Sequence, residues 1–305
     1  MRRRLLYNKI DPYWDYKILT IGNLARYTSQ IWDNKLYLPG SVSDTLEILD
    51  LNTNILRSVY LSGLSMRQTS QMWNNKLYIP LSNSGDIEIF DLVTEITRTV
   101  SLPVSVQRTT SHIWNDKLYM PYYSSSLTAS KIDIFDLNTE ITRTVSLPTA
   151  IFHNTSQICE DKLYMPLYTG TVLEIFDLTL ETTKTITLPS ISYRTTCQIW
   201  NDNLYMPQSQ GTDIQIYNIK SDTIRTAFLP SSMIIGTSLI YNDKLLLPQS
   251  GGRNMRIFDL NNETTKNIIL PTNMSRQTNQ SDGDILYLPQ YNGTTLEMVN
   301  LLSVI

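Results

Sequence analysis

A chain of 305 residues with 25 basic and 28 acidic side chains carries a net charge of −3 and has no basic stripe, so it lacks the spread of cations that a nucleic-acid duplex requires. No apolar run reaches the roughly 20 residues of a membrane helix. Two cysteines and two histidines leave little material for a disulfide framework or a metal centre.

The chain opens MRRRLLYNKIDPYWDY, whose basic beginning is not followed by an apolar core, so it does not read as a signal peptide; the arginines read as a solvated tail. A cytoplasmic location is expected. Next comes KILTI (Lys17 to Ile21), a short strand. From there the chain repeats itself. A segment such as RQTSQMWNNKLYIP (Arg67 to Pro80) occurs seven times, closing at Pro39, Pro80, Pro121, Pro166, Pro207, Pro248 and Pro289, at spacings of 41, 41, 45, 41, 41 and 41. The one longer spacing is explained by a polar insertion, Ser124 to Lys131.

Each repeat holds four β-rich segments. In the second they are a (Arg67 to Trp73), b (Lys76 to Pro80), c (Asp86 to Leu92) and d (Thr97 to Pro103). Two Asn or Asp residues separate a from b in most repeats, the chemistry of a tight hairpin turn. Segment c ends in Ile-Phe-Asp-Leu, whose Asp can bond the backbone two residues on and shape the turn into d. Proline ends b, where pairing must stop.

Seven four-stranded antiparallel units predict an all-β, seven-bladed β-propeller, a single domain over 1–305. The last repeat lacks a d segment, and KILTI stands where a d strand would precede the first repeat. These two ends are expected to complete one blade and close the ring.

The order of an arginine-led strand, a short turn, Leu-Tyr late in b and then EIFDLNTEITRTVSLP resembles the kelch repeat. The likeness runs through all seven copies. Two features depart from it: the glycine doublet after b is replaced by Pro plus Leu, Tyr or Gln, and tryptophan ends strand a (Trp32, Trp73, Trp114, Trp200) instead of opening d. The tryptophans are expected between blades, buried for their area. Cys159 stands at this Trp position and Cys197 at a Ser position, both as buried substitutes without a disulfide.

Arg26, Arg67, Arg108, Arg194 and Arg276 share one position, held by His153 in the fourth repeat and Ile235 in the sixth. With strand a innermost, they would encircle one mouth of the central channel, rimmed by the b–c loops with Tyr122, Tyr123, Tyr168, Gln208, Gln249, Gln290 and Tyr291. Such a ring is a receptor for carboxylates, phosphates or sugars; the competing reading makes each arginine a brace between blades. Like charges at about 8 Å repel by on the order of 1 to 2 kcal/mol per pair, which favours anionic partners. The resemblance points the same way, since kelch propellers that act as substrate adaptors hold acidic peptides with arginines at the head of the innermost strand.

The function expected is therefore a kelch-like protein-interaction module binding an acidic or polar ligand, with a carbohydrate-binding propeller as the alternative and an enzyme with its site in the mouth as the third reading. No cofactor, metal, nucleic acid or membrane partner is expected, and the chain is expected to be monomeric. His112 and His153 occupy different repeat positions, so a Ser-His-Asp arrangement does not assemble.

Overall fold

The computed structural model describes residues 16–82, 84–123, 130–149 and 152–305. The N-terminal tail and most of the insertion expected at 124–131 lie outside the described residues. Among the described residues everything regular is β apart from one 3-10 turn at Leu301–Ser303. The strands form antiparallel sheets of four, ordered a-b-c-d in the fourth, fifth and sixth repeats. The first three repeats are joined into one larger sheet, because the end of each d strand pairs on into the b strand of the next repeat, as in Met66 with Ser82 and Arg67 with Leu81.

This run-on corrects one boundary. Arg67 and Arg108 end the d strands Leu56–Arg67 and Thr97–Arg108, while the a strands shrink to Gln71–Trp73 and His112–Trp114. The physical reason is that the chain stays hydrogen-bonded to the neighbouring b strand until it turns inward.

The a–b turns are as the Asn and Asp pairs dictate. Both residues have positive φ, for example 45° at Asn74 and 59° at Asn75. At the c–d turns, Asp50, Asp91 and Asp136 accept backbone N–H bonds from residues two and three ahead. These backbone donors hold the three carboxyls below the usual range.

The opening strand, Tyr16–Ala25, pairs antiparallel with Asn292–Asn300, the c strand of the last repeat, from Tyr16 opposite Val299 to Ala25 opposite Asn292. Core clusters lie between successive repeats; one brings Ile21, Leu36 and Leu38 against Tyr287, Leu296 and Met298.

The Thr-Ser pair of five repeats, with Thr-Cys in the fifth and Thr-Asn in the seventh, builds a belt around the inner strands. Thr28 bonds Ser70, Thr69 bonds Ser111, Thr110 bonds Ser156, Thr155 bonds Cys197, Thr196 bonds Ser238, Asn279 bonds Thr237, and Ser29 bonds Thr278. Each link ties one repeat to the next, and the last returns to the first. A second row runs beside it, in which Gln30, Gln71, Gln157, Gln198 and Gln280 donate to the carbonyl of the neighbouring Ser or Cys.

In the third repeat His112 takes the glutamine's place, its Nε2 2.8 Å from Ser156 O. Burial pushes His112 from 6.5 down to about 4. The folded value lies below the unfolded one, so as pH falls the unfolded chain binds the proton first. His112 therefore withholds no stability above about 6.5 and destabilises progressively as pH falls from 6.5 toward 4, by up to about 3 kcal/mol. The variant His112→Gln should flatten that part of the melting temperature against pH, and an unchanged profile would show that His112 is not held buried in the second row.

Candidate binding site at the channel mouth

The residue after each repeated arginine, His153 or Ile235 points into the axis. Tyr27, Gln68, Thr109, Asn154, Thr195, Gly236 and Gln277, one from every repeat, line a single cavity of about 100 Å³. Its lining is polar and carries no formal charge at neutral pH. Thr109 and Thr195 donate to the carbonyls of His153 and Ile235, the next repeat's backbone. Tyr27 shares a 2.7 Å hydroxyl contact with Tyr291. Gln68 Oε1 is buried and has no hydrogen-bond partner among the described residues, and Gln68 is one of the residues that line the cavity. Gly236 is glycine for want of room: a Cβ there would stand 2.2 Å from Arg276 O.

The arginines do not line this mouth, and the expectation of an accessible Arg ring is corrected by their burial. Arg26, Arg67, Arg108, Arg194 and Arg276 are all 0% exposed. Each bridges two repeats. Arg67 contacts Glu88 in strand c of its own repeat through Nε at 2.8 Å and donates to the carbonyls of Gly40, Ser43, Gly63 and Ser65 in the preceding one. Arg26, Arg108 and Arg276 pair likewise with Glu47, Asp133 and Glu297 at 2.5, 2.6 and 2.6 Å. Arg194 faces an amide, Gln215 Oε1 at 2.6 Å, and burial pushes its guanidinium down to about 10.

The partner position follows the arginine through the repeats. His153 lies 2.8 Å from Glu174, and where Ile235 replaces the arginine, the carboxylate position becomes Arg256, which donates to Ser231 O and Oγ. Mutual repulsion is absent because four of the five arginines have their own carboxylate and all five guanidiniums are wrapped in carbonyls. Sequence reasoning weighed five cations and overlooked the acids 21 or 25 residues further on.

The expected rim residues divide. Tyr122 is buried with its ring 5.3 Å from the Arg108 guanidinium carbon, and burial pushes its hydroxyl up to about 12. Gln208, Gln249 and Gln290 fold back over Gly211, Gly252 and Gly293, where a Cβ would meet each glutamine at 2.2 Å. They shape their own loops, and Gln249 and Gln290 lend backbone carbonyls to Arg276 and Arg26. Tyr168 is half-buried between Phe152 and Tyr193, with centroids at 6.0 and 5.7 Å. Tyr291 is half-buried with its ring centroid 4.7 Å from that of Tyr27, and does not itself line the axial cavity. Of Tyr123 only the backbone is described, paired with Gln107.

What the sequence reading missed is the axial position itself. Its signal is variability: Tyr, Gln, Thr, Asn, Thr, Gly and Gln follow a nearly constant arginine. The tryptophans are half-buried rather than fully enclosed; Trp73 and Trp200 donate Nε1–H to Asp116 and Asp243 of the next repeat. Both cysteines are free; Cys197 is buried within the belt, where burial pushes its thiol up to about 12, and Cys159 is half-buried.

No protein-family model and no curated protein matches the sequence. Solved structures do resemble it. Virginiamycin B lyase from Staphylococcus aureus is similar at a TM-score of 0.81 with 11% identity, covering 94% of this chain and 99% of that one. The WD40 domain of Neurospora crassa Pan2 gives 0.75 with 8% identity, over 96% and 98% of the two chains. The extracellular domain of a putative one component system from B. thetaiotaomicron gives 0.75 at 12% identity, over 93% of this chain and 40% of that one. The fold is a β-propeller of four-stranded antiparallel sheets. Among the described residues no helix is long and apolar enough to cross a membrane.

Proposed function

We propose that the chain is a single seven-bladed, kelch-like propeller that works as a protein-interaction module, holding a polar peptide segment over the axial cavity. Closure is supported by the pairing of Tyr16–Ala25 with the last repeat and by the return of the hydrogen-bond belt from Thr278 to Ser29. The observation that carries the binding role is the ring of one polar or small side chain per repeat around one cavity, with the Gln68 acceptor unmatched. Around it, on the face of the b–c loops and d-strand ends, Val42, Ile191, Tyr193 and Ile234 are 48 to 72% exposed. Exposed apolar side chains on that face offer contact area to a protein partner.

The buried, neutralised arginines shift the expected ligand from acidic to uncharged polar. Amides and hydroxyls at Gln68, Gln277, Asn154 and Thr195 match peptide backbone groups better than carboxylates. The likeness to a lyase carries no chemistry here, since His112 and His153 are both used within the framework.

Panning a displayed random-peptide library beside a glycan array tests this reading. Peptides should be recovered that bind once per chain, and Thr109→Arg together with Gln68→Arg, which fill the cavity, should weaken them at least tenfold with little change in melting temperature. Recovery of glycans alone, or peptide binding indifferent to both substitutions, would reject it.

A further inference from the structure

The junction of the fourth and fifth repeats breaks the pattern. In the second repeat Trp73 stands edge-on to Tyr78 at 6.3 Å, packs in a cluster with Phe135 and Leu137 of the next repeat, and donates to Asp116. The corresponding residues of the fourth and fifth repeats are Cys159, Tyr164, Tyr217, Ile219 and Asp202. The indole is gone and its surroundings remain. Tyr164, Tyr217, Ile219 and Asp202 all line a cleft of about 420 Å³. In the third repeat, where Trp114 is present, the corresponding cleft encloses about 200 Å³ and is lined within that repeat alone.

The acceptor at the end of the vacated place has kept its geometry. At the next junction Asp243 takes Trp200 on Oδ1 and Asn261 on Oδ2. Lys220 occupies the position of Asn261, and it too takes the second oxygen, Asp202 Oδ2, at 2.6 Å. At the intact junctions Oδ1 of the corresponding Asp116 and Asp243 receives the indole N–H, and Asp202 is among the residues that line the cleft. Two tyrosine rings 6.2 Å apart supply aromatic walls, and Tyr217 is fixed by its hydroxyl bond to Asp222 at 2.7 Å.

The geometry points to a second binding site in this cleft, for a small planar aromatic molecule bearing an N–H donor, which takes the place of the missing tryptophan side chain. The volume falls within the range of about 300 to 1,000 Å³ usual for small-ligand pockets. The lining is mixed, with Tyr164, Tyr217, Ile175 and Ile219 as its apolar part and Lys162, Lys184 and Asp222 among its charged side chains. Aromatic contact with the tyrosines provides affinity, and the N–H to Asp202 provides selection.

Indole is the probe. Titrated into the full chain, it should raise the melting temperature in a dose-dependent manner and show saturable binding by calorimetry. Benzofuran, of the same shape without the N–H, should bind about tenfold more weakly. Cys159→Trp restores the residue found in four other repeats; it should raise the melting temperature by itself and abolish the indole effect, whereas Cys159→Ala should bind indole as the native chain does. No saturable indole binding, equal binding of indole and benzofuran, or undiminished binding to Cys159→Trp would each overturn the site. Should Cys159→Trp fail to fold, the comparison of indole with benzofuran on the native chain still decides.

Discussion

Replacing Arg67 with Ala is expected to destabilise the propeller by about 3 to 5 kcal/mol, the usual cost of removing one partner of a buried ion pair. Both side chains are 0% exposed, and Glu88 keeps only the Ser62 backbone and hydroxyl donors once the guanidinium is gone. Four backbone carbonyls of the preceding repeat lose their donor at the same time. The same substitution at an exposed rim would cost about 0 to 1 kcal/mol, so denaturant unfolding separates a brace from a binding ring. The chain itself supplies the control. The sixth repeat holds Ile235 with Arg256, which reaches back to Ser231 of the preceding repeat. The double variant Arg67→Ile with Glu88→Arg copies that solution and should recover part of the loss by reaching Ser62. A single variant within about 1 kcal/mol of the native chain would show that the arginines are not structural.

The exposed ion pairs are of another kind. Arg57 with Glu95, Arg98 with Glu140, Arg143 with Glu181 and Arg225 with Glu263 link each d strand to the next c–d turn, with side chains about one-third to one-half exposed. Water and salt screen them, so each adds little on its own. They set the register between neighbouring repeats at a polar surface, while the buried arginines do the same work near the axis at far greater cost of removal.

The repeat architecture was legible because duplication prints the same physical solution several times. The Asn and Asp pairs forced positive φ at the a–b turns, and the c-segment Asp read as an Asx turn because its carboxylate accepts from the backbone two and three residues on. The Thr-Ser pair was visible but mute, since a bond from Thr28 to Ser70 spans 42 residues and no local rule announces it. The arginines misled for a similar reason. Whether a repeated cation faces solvent or a carboxylate depends on which strand lies beside it, and Arg67 and Glu88 sit in different segments. Position alone suggested a ring; pairing decides its chemistry. The axial residues were hidden by the opposite effect, because Tyr27, Gln68 and Gly236 share a place in the fold and no residue type. Cys159 read as a buried stand-in for tryptophan, yet a thiol fills a fraction of an indole's volume, and the counterparts of the residues around Trp73 line a cleft at this junction.

Deleting residues 1 to 22 should separate the first repeat from the last. The deletion removes the pairing of Tyr16 to Thr20 with Val299 to Thr295 and leaves the last c strand with an unpaired edge. Tyr16 and Ile21 are 8% and 3% exposed, so lost apolar burial alone costs about 3 to 6 kcal/mol. Polar losses add to this, because Gly22 donates its N–H to Glu47 and its carbonyl accepts from Arg26, the arginine that joins the last repeat's Gln290 and Gly293 to the first repeat. The freed edge runs through Leu296 and Met298, an apolar stretch suited to pairing with another chain. The truncated protein is thus expected to melt well below the full chain and to form oligomers in size-exclusion chromatography. Adding back a peptide spanning residues 16 to 25 should restore the monomer, since that strand carries the register in its own side chains. A truncated chain that stays monomeric and melts with the native one would mean that the first and last repeats are held together by the belt between Ser29 and Thr278 and not by the opening strand.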